Sequence, residues 1–221
     1  METEQLIRSL AREAEPVERL PHPVWRAMAW ALLSVAYVAL IVVAVGVRPD
    51  ITEKLQDPRF VIEVGAALLT SVMAAAAAFC AGCPGRPVWE RFAPLPFLIV
   101  WLASLGEGCW RQWVQIGADG RLKFDLMCFG AIFALSLLPA MLIFAMMRRG
   151  APIAPMSTTG LATLAATALA AAALRLFHPQ DVSVMLLVWQ FGSVVLLAGV
   201  GFFLGDRLLR WTLVEPRSGD G

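Results

Sequence analysis

Charge is scarce in this chain. Asp, Glu, Lys and Arg make up 16% of its 221 residues, against about 25% in soluble globular domains. A soluble fold needs more polar surface than this to cover itself. That excludes the one or two water-soluble domains the length alone would allow. An excess of either sign is also missing. The 18 basic and 17 acidic residues leave a net charge of +1, which gives no ground for direct nucleic-acid binding. Two histidines and one tyrosine are very few for general acid–base chemistry. Four cysteines are too few for a disulfide scaffold. No P-loop, H-E-x-x-H or G-x-S-x-G occurs, so the chain does not read as an enzyme. The first 24 residues hold no apolar core next to a small-residue cleavage site, and a cleaved signal peptide is not expected.

Apolar residues are what the chain has. They make up 59% of it, and the mean hydropathy is +0.70. A membrane-crossing helix needs roughly 20 predominantly apolar residues. Six stretches qualify, at about 25–46, 60–82, 94–113, 125–147, 156–177 and 182–204. They are apolar on nearly every side, whereas barrel strands would alternate over shorter segments. The fold class expected is all-α: an integral membrane bundle of six transmembrane helices with a short cytoplasmic N-terminal helix. Short connections make successive helices antiparallel neighbours. With the N-terminus inside, 11 of the 18 Lys and Arg residues fall in cytoplasmic segments, as the positive-inside rule asks. Six spans then put both termini in the cytoplasm.

Three regions follow: a cytoplasmic N-terminal segment 1–24, a six-helix transmembrane domain 25–211 and a cytoplasmic tail 212–221. Residues 3–14 read as a helix. Glu2 and Glu4 suit its positive end, Leu6, Ile7, Leu10 and Ala14 form one stripe, and Pro16 stops it. Such a helix either lies on the membrane surface or becomes ordered on a cytoplasmic partner. Pro21-His22-Pro23 is a stiff joint into the first span. In the longest outer connection, 47–59, Asp57-Pro58 predicts a helix cap with proline at the first helical position. The alanine run 74–78 and the Ala-rich stretch 162–173 offer small residues for close helix packing. Trp25, Trp89, Trp110 and Trp113 lie near span ends and fit an interfacial belt. Trp30, Trp101 and Trp189 lie deeper, as packing residues.

Cys80 and Cys83 have C-x-x-C spacing, but no second pair or suitably placed histidine accompanies them. They read as reduced small residues at a helix end. Cys109 ends the third span, Cys128 begins the fourth, and His178 sits in the last outer loop. Two thiols and an imidazole at one depth can bind a soft metal ion or report oxidation. The competing reading is that the thiols pack as small apolar groups. Glu63 and Arg59, and Glu107 and Arg111, are i, i+4 pairs near span ends. With Arg175 they read as structural ion pairs near the interface, because none is at the bilayer centre where a charge suggests transport. Pro139 can kink the fourth span.

Several stretches together resemble the NrsF family, negative regulators of the sigma factor F type. They are Leu6-Ile7-x-x-Leu10-Ala11 with Pro16-Val17-x-x-Leu20, Asp57-Pro58-Arg59-Phe60-x-x-Glu63, Pro84-Gly85-Arg86 and Gly108-Cys109. Arg148-Arg149-Gly150-Ala151-Pro152 fits too, as does the end from Val188-Trp189 through Gly205-Asp206-Arg207-Leu208-Leu209-Arg210-Trp211. The likeness runs over about 3–211. It implies a six-span anti-sigma factor of the bacterial inner membrane. An extracytoplasmic-function (ECF) sigma factor would be held by the N-terminal segment, through Leu6, Ile7, Arg8, Leu10, Ala11, Val17 and Leu20. A stress signal at the outer face would release it. Outer-face cysteines in the family are associated with sensing oxidants or heavy metals, and Cys128 falls at one such position. The second family cysteine lies in the loop before the last span, where this chain has His178. That departure leaves no Cys128–loop disulfide. A soft-metal site on Cys109, Cys128 and His178, or a Cys109–Cys128 pair, stays open.

Two other classes compete. A small transporter or channel, for a metal ion or another small solute, needs polar residues along a midplane path. The candidates are few: Ser34, Thr70, Ser71 and Ser136. A lipid-acting membrane enzyme needs clustered His, Asp or Glu at one interface, and the inner face offers no histidine cluster.

Overall fold

The computed structural model describes residues 3–13, 21–83, 85–116, 126–148, 154–178 and 191–208. These are helical, with no strand among the described residues. The elements are α1 (Thr3–Glu13), α2 (Pro23–Val45), α3 (Ile51–Lys54), α4 (Pro58–Ala81), a 3-10 turn (Val88–Phe92), α5 (Leu95–Ile116), α6 (Leu126–Met147), α7 (Pro155–Phe177) and α8 (Gly192–Leu208). Among the described residues, five helices are long and apolar enough to cross a membrane. The expected sixth stretch, 182–204, is helical over its described part. Its shorter apolar helix covers Gly192–Gly205, and residues 182–190 lie outside the described ones. Trp189 and the tail 212–221 lie outside them too.

Local chemistry sets the helix starts. At α2, Pro23 occupies the first turn, and His22 Nδ1 accepts from the Val24 amide at 3.4 Å. At α4, the Asp57 carboxylate accepts from the Arg59 amide at 3.0 Å, with Pro58 in the first turn. This is the cap the sequence predicts. Within the connection 47–59, Ile51–Lys54 forms a helical turn.

The Ala-rich helices are the centre. Ala74, Ala75, Ala78, Ala162 and Ala165 are buried in one cluster with Trp30 and Phe79. Ala66, Ala67, Ala168, Ala171 and Ala172 are buried in a second with Trp101 and Leu105. Small side chains bring the α4 and α7 backbones close enough for Ser71 Oγ to donate to the Ala165 carbonyl at 2.7 Å, a cross-helix bond of the kind found where small residues line a seam. α7 packs on α4, α6, α8 and α2, and α5 packs along α4. Successive helices are therefore not all neighbours: among the described residues α5 and α6 share no extended face. Trp30 is fully buried, and its Nε1 donates to the Pro139 carbonyl of α6 at 2.9 Å. Trp25, Trp89 and Trp110 are exposed, as belt residues should be.

The α7–α8 seam is tighter still. A Cβ on Gly201 would overlap Thr163 Oγ1, and one on Gly205 would come within 2.6 Å of the Met156 Cα. Only glycine lets the two backbones meet there.

Candidate functional site

Two ends of the bundle carry its polar chemistry. At the end holding α3, Arg175 near the end of α7 meets Glu63 near the start of α4, Nε to Oε1, at 2.9 Å. Both side chains are buried, 8% and 6% exposed, and the Arg175 guanidinium lies 5.2 Å from the Phe60 ring centre. The expected Arg59–Glu63 pair does not form. Arg59 reaches across to α5 and donates to the Ser104 carbonyl at 3.0 Å, while Glu63 is buried toward α7. The expected Glu107–Arg111 pair does form, at 2.5 Å. Beside this lies Arg48, which is buried and pairs with Asp50 through two bonds of 2.6 and 2.7 Å. Its amide donates to the Leu176 carbonyl at 3.0 Å, seating the α2–α3 connection on the end of α7.

His178 caps α7. Its amide donates to the Leu174 carbonyl at 2.9 Å, and it stands three residues past Arg175 in the chain. Cys128 is in the first turn of α6. α5 continues to Ile116, past the expected end at 113, so Cys109 stands two turns before its end. The side chains of Cys109 and Cys128 lie outside the described residues, as does loop 117–125. Among the described residues no group of three His, Cys, Asp or Glu gathers as a metal site.

At the opposite end, where α2 begins, Arg26 is buried. It donates to the Met146 carbonyl in the last turn of α6 at 2.5 Å and stacks 4.6 Å from the Phe79 ring centre. A cation at a helix C-terminus also suits the dipole. Arg86 pairs with Glu90 at 2.9 Å and donates to Cys80 Sγ at 3.5 Å. Cys80 and then Glu90 hold its guanidinium above its already high ordinary value. Cys80 is buried, Cys83 is half-buried, and both are free thiols.

α1 leads into this end. Its described apolar residue Ile7 is 59% exposed, and Arg8 and Glu4 pair across one turn at 3.6 Å. Ala11 is exposed. The side chains of Leu6 and Leu10, and all of Val17 and Leu20, lie outside the described residues. The hydroxyls of Thr70 and Ser136 each donate to a carbonyl in their own helix.

Sequence reasoning missed the Glu63–Arg175 pair and the Gly201/Gly205 seam. Both left a signal: two charges at matching depths in antiparallel helices, and a G-x-x-x-G spacing.

The family model for NrsF, described as negative regulator of sigma F, matches residues 10–211. No curated protein and no solved structure matches the chain. The family match begins inside α1, downstream of Leu6, Ile7 and Arg8, and runs through every apolar helix described above. With five helices among its described residues fit to cross a membrane, and matched over nearly its whole length, the chain belongs to the NrsF family, a family of regulators rather than of enzymes.

Proposed function

We propose that the chain is a six-span bacterial inner-membrane anti-sigma factor with both termini in the cytoplasm. Its segment 1–24 holds an ECF sigma factor through Leu6, Ile7, Leu10, Ala11, Val17 and Leu20, with Arg8 and Arg12 at the rim. The observation that carries this reading is α1 itself. It is an 11-residue helix whose Ile7 is exposed, and a helix this short is marginal alone in water. A groove on a partner supplies the burial it lacks. Family membership supplies the class of partner.

On this reading the α3 end faces outward and receives the signal. The thiolates of Cys109 and Cys128 are the forms that react with soft metals or oxidants, and His178 completes the set. A change at His178 acts on Arg175, three residues earlier in α7, and through it on Glu63 and α4.

The test is transcription from the sigma-dependent promoter, read alongside co-purification of the sigma factor. Leu6→Glu and Leu10→Glu place a charge where a leucine contributes about 1.5–3 kcal/mol. Binding should weaken about a hundredfold and the promoter should be constitutively active, while the protein still inserts in the membrane. Cys128→Ser should blunt induction by thiol-reactive stress, and Cys109→Ser and His178→Ala should do so more weakly. Cys80→Ser and Cys83→Ser should leave it intact. Unchanged co-purification with both leucine variants would overturn the partner-binding role.

A further inference from the structure

A cavity of about 590 Å³ opens between the start of α4 and the middle turns of α5. It falls in the size range of small-ligand sites. Its wall holds two cations, Arg59 and Arg111, and two anions, Asp57 and Glu107. Its apolar part is Ile62 and Val100, both about half exposed. The order along the helices decides what fits. Asp57 caps α4 and Arg59 stands in its first turn, while Glu107 and Arg111 stand in the second half of α5. Ile62 stands about one turn deeper than Arg59, and Val100 about two turns deeper than Glu107. The polar end of the groove is thus at the membrane surface and its apolar end runs toward the bilayer interior.

We propose that this groove binds a zwitterionic phospholipid with a phosphoethanolamine head group. The phosphate lies against Arg59 and Arg111, since guanidinium groups suit phosphate oxygens. The ammonium lies against Glu107 and Asp57, and an acyl chain follows Ile62 and Val100. The two cations and two anions sum to no net charge, which matches a zwitterion better than an anionic lipid. Arg59 is already anchored, because it donates to the Ser104 carbonyl. It therefore presents its guanidinium at the α4–α5 junction at little further entropic loss. The inference rests on the membrane placement above and not on the sigma factor, so the two readings fail separately.

The test uses the full-length protein, purified in detergent and stripped of lipid. It is titrated with dioctanoyl phosphatidylethanolamine, dioctanoyl phosphatidylglycerol and free phosphoethanolamine, and bound adducts are counted by native mass spectrometry. Phosphatidylethanolamine should bind at least about tenfold more tightly than either competitor: over phosphatidylglycerol by one charge-assisted hydrogen bond, and over free phosphoethanolamine by burial of acyl chain. Arg111→Gln should lower its affinity about tenfold, and Glu107→Gln should erase the preference over phosphatidylglycerol. Both residues are largely exposed, so the fold survives their loss. Arg148→Gln, at the opposite end, should change nothing. Equal binding of phosphatidylglycerol to the parent would overturn the ammonium contact. Equal binding of free phosphoethanolamine would overturn the lipid as the source of the head group. Unaltered adducts in Arg111→Gln would overturn the site.

Discussion

The two ends of the bundle hold their charges in different ways. At the α3 end, cross-element contacts join three segments: Glu63 of α4 to Arg175 of α7, and the Arg48 amide to the last turn of α7. Burial of Glu63 and Arg175 makes separation expensive, because each ion would be left in a low-dielectric setting without its counter-charge. At the α2 start, the buried Arg26 donates to a helix-end carbonyl and stacks on an aromatic face. The carboxylate–guanidinium pair there, Arg86–Glu90, is local to one short segment. The difference teaches where the bundle resists change. The α3 end moves only by parting or hydrating a buried ion pair, whereas a shift at the other end parts a cation from a carbonyl and an aromatic ring. An end so fastened suits the input side of a two-arrangement bundle, because a perturbation there has a definite contact to break.

The largest effect should come from cutting the buried pair. Arg175→Met keeps an apolar stem but leaves the Glu63 carboxylate buried, which costs about 3–5 kcal/mol. Thermal unfolding of the protein in detergent, followed by circular dichroism, should show that loss as a lower midpoint. Adding Glu63→Leu should restore most of it, because a buried pair replaced by apolar groups is often neutral. A single variant that unfolds like the parent would show that the pair does not fasten this end.

A smaller loss is expected from Arg26→Met. The cation leaves together with its charge, and methionine can still lie against Phe79. The loss includes a charge-assisted hydrogen bond to the Met146 carbonyl, about 1.5–3 kcal/mol. The same unfolding measurement should place this variant between the parent and Arg175→Met. A midpoint below that of Arg175→Met would reverse the ranking of the two ends.

Much of this architecture was legible in the sequence. Apolar run length located the long helices, Asp57-Pro58 fixed the start of α4, and the alanine runs marked the α4–α7 core. Trp30 and Trp101 were read as buried, and both are. The partner of Glu63 was not legible, because the i, i+4 rule favours Arg59 and says nothing about which neighbouring helix each residue meets. Arg59 turns to α5, while Glu63, with Phe60 one turn before it, turns to α7. Only matching depths between antiparallel helices points to Arg175. The seam at Gly201 and Gly205 was passed over although its spacing is a local signal. The helical turn of α1 was legible from its stripe and from Pro16. The α5–α6 relation was not, since a connection's length suggests adjacency but packing decides it.

The smallest effect should come from the pair that repeats the local rule most faithfully. Glu107 and Arg111 are i, i+4 on α5, with the acid N-terminal to the base, the favourable order, and they meet at 2.5 Å. Their side chains are 52% and 66% exposed, so water and salt screen the attraction and ordering two long side chains offsets much of the rest. Glu107→Gln should therefore cost only about 0.3–0.5 kcal/mol, and that difference should vanish in high salt. The unfolding midpoints of parent and variant, compared at low and high ionic strength, test this directly. If Glu107→Gln lowered the midpoint as much as Arg26→Met, or did so equally at both salt concentrations, distance alone would rank these contacts. The contrast between the ends would then no longer rest on burial.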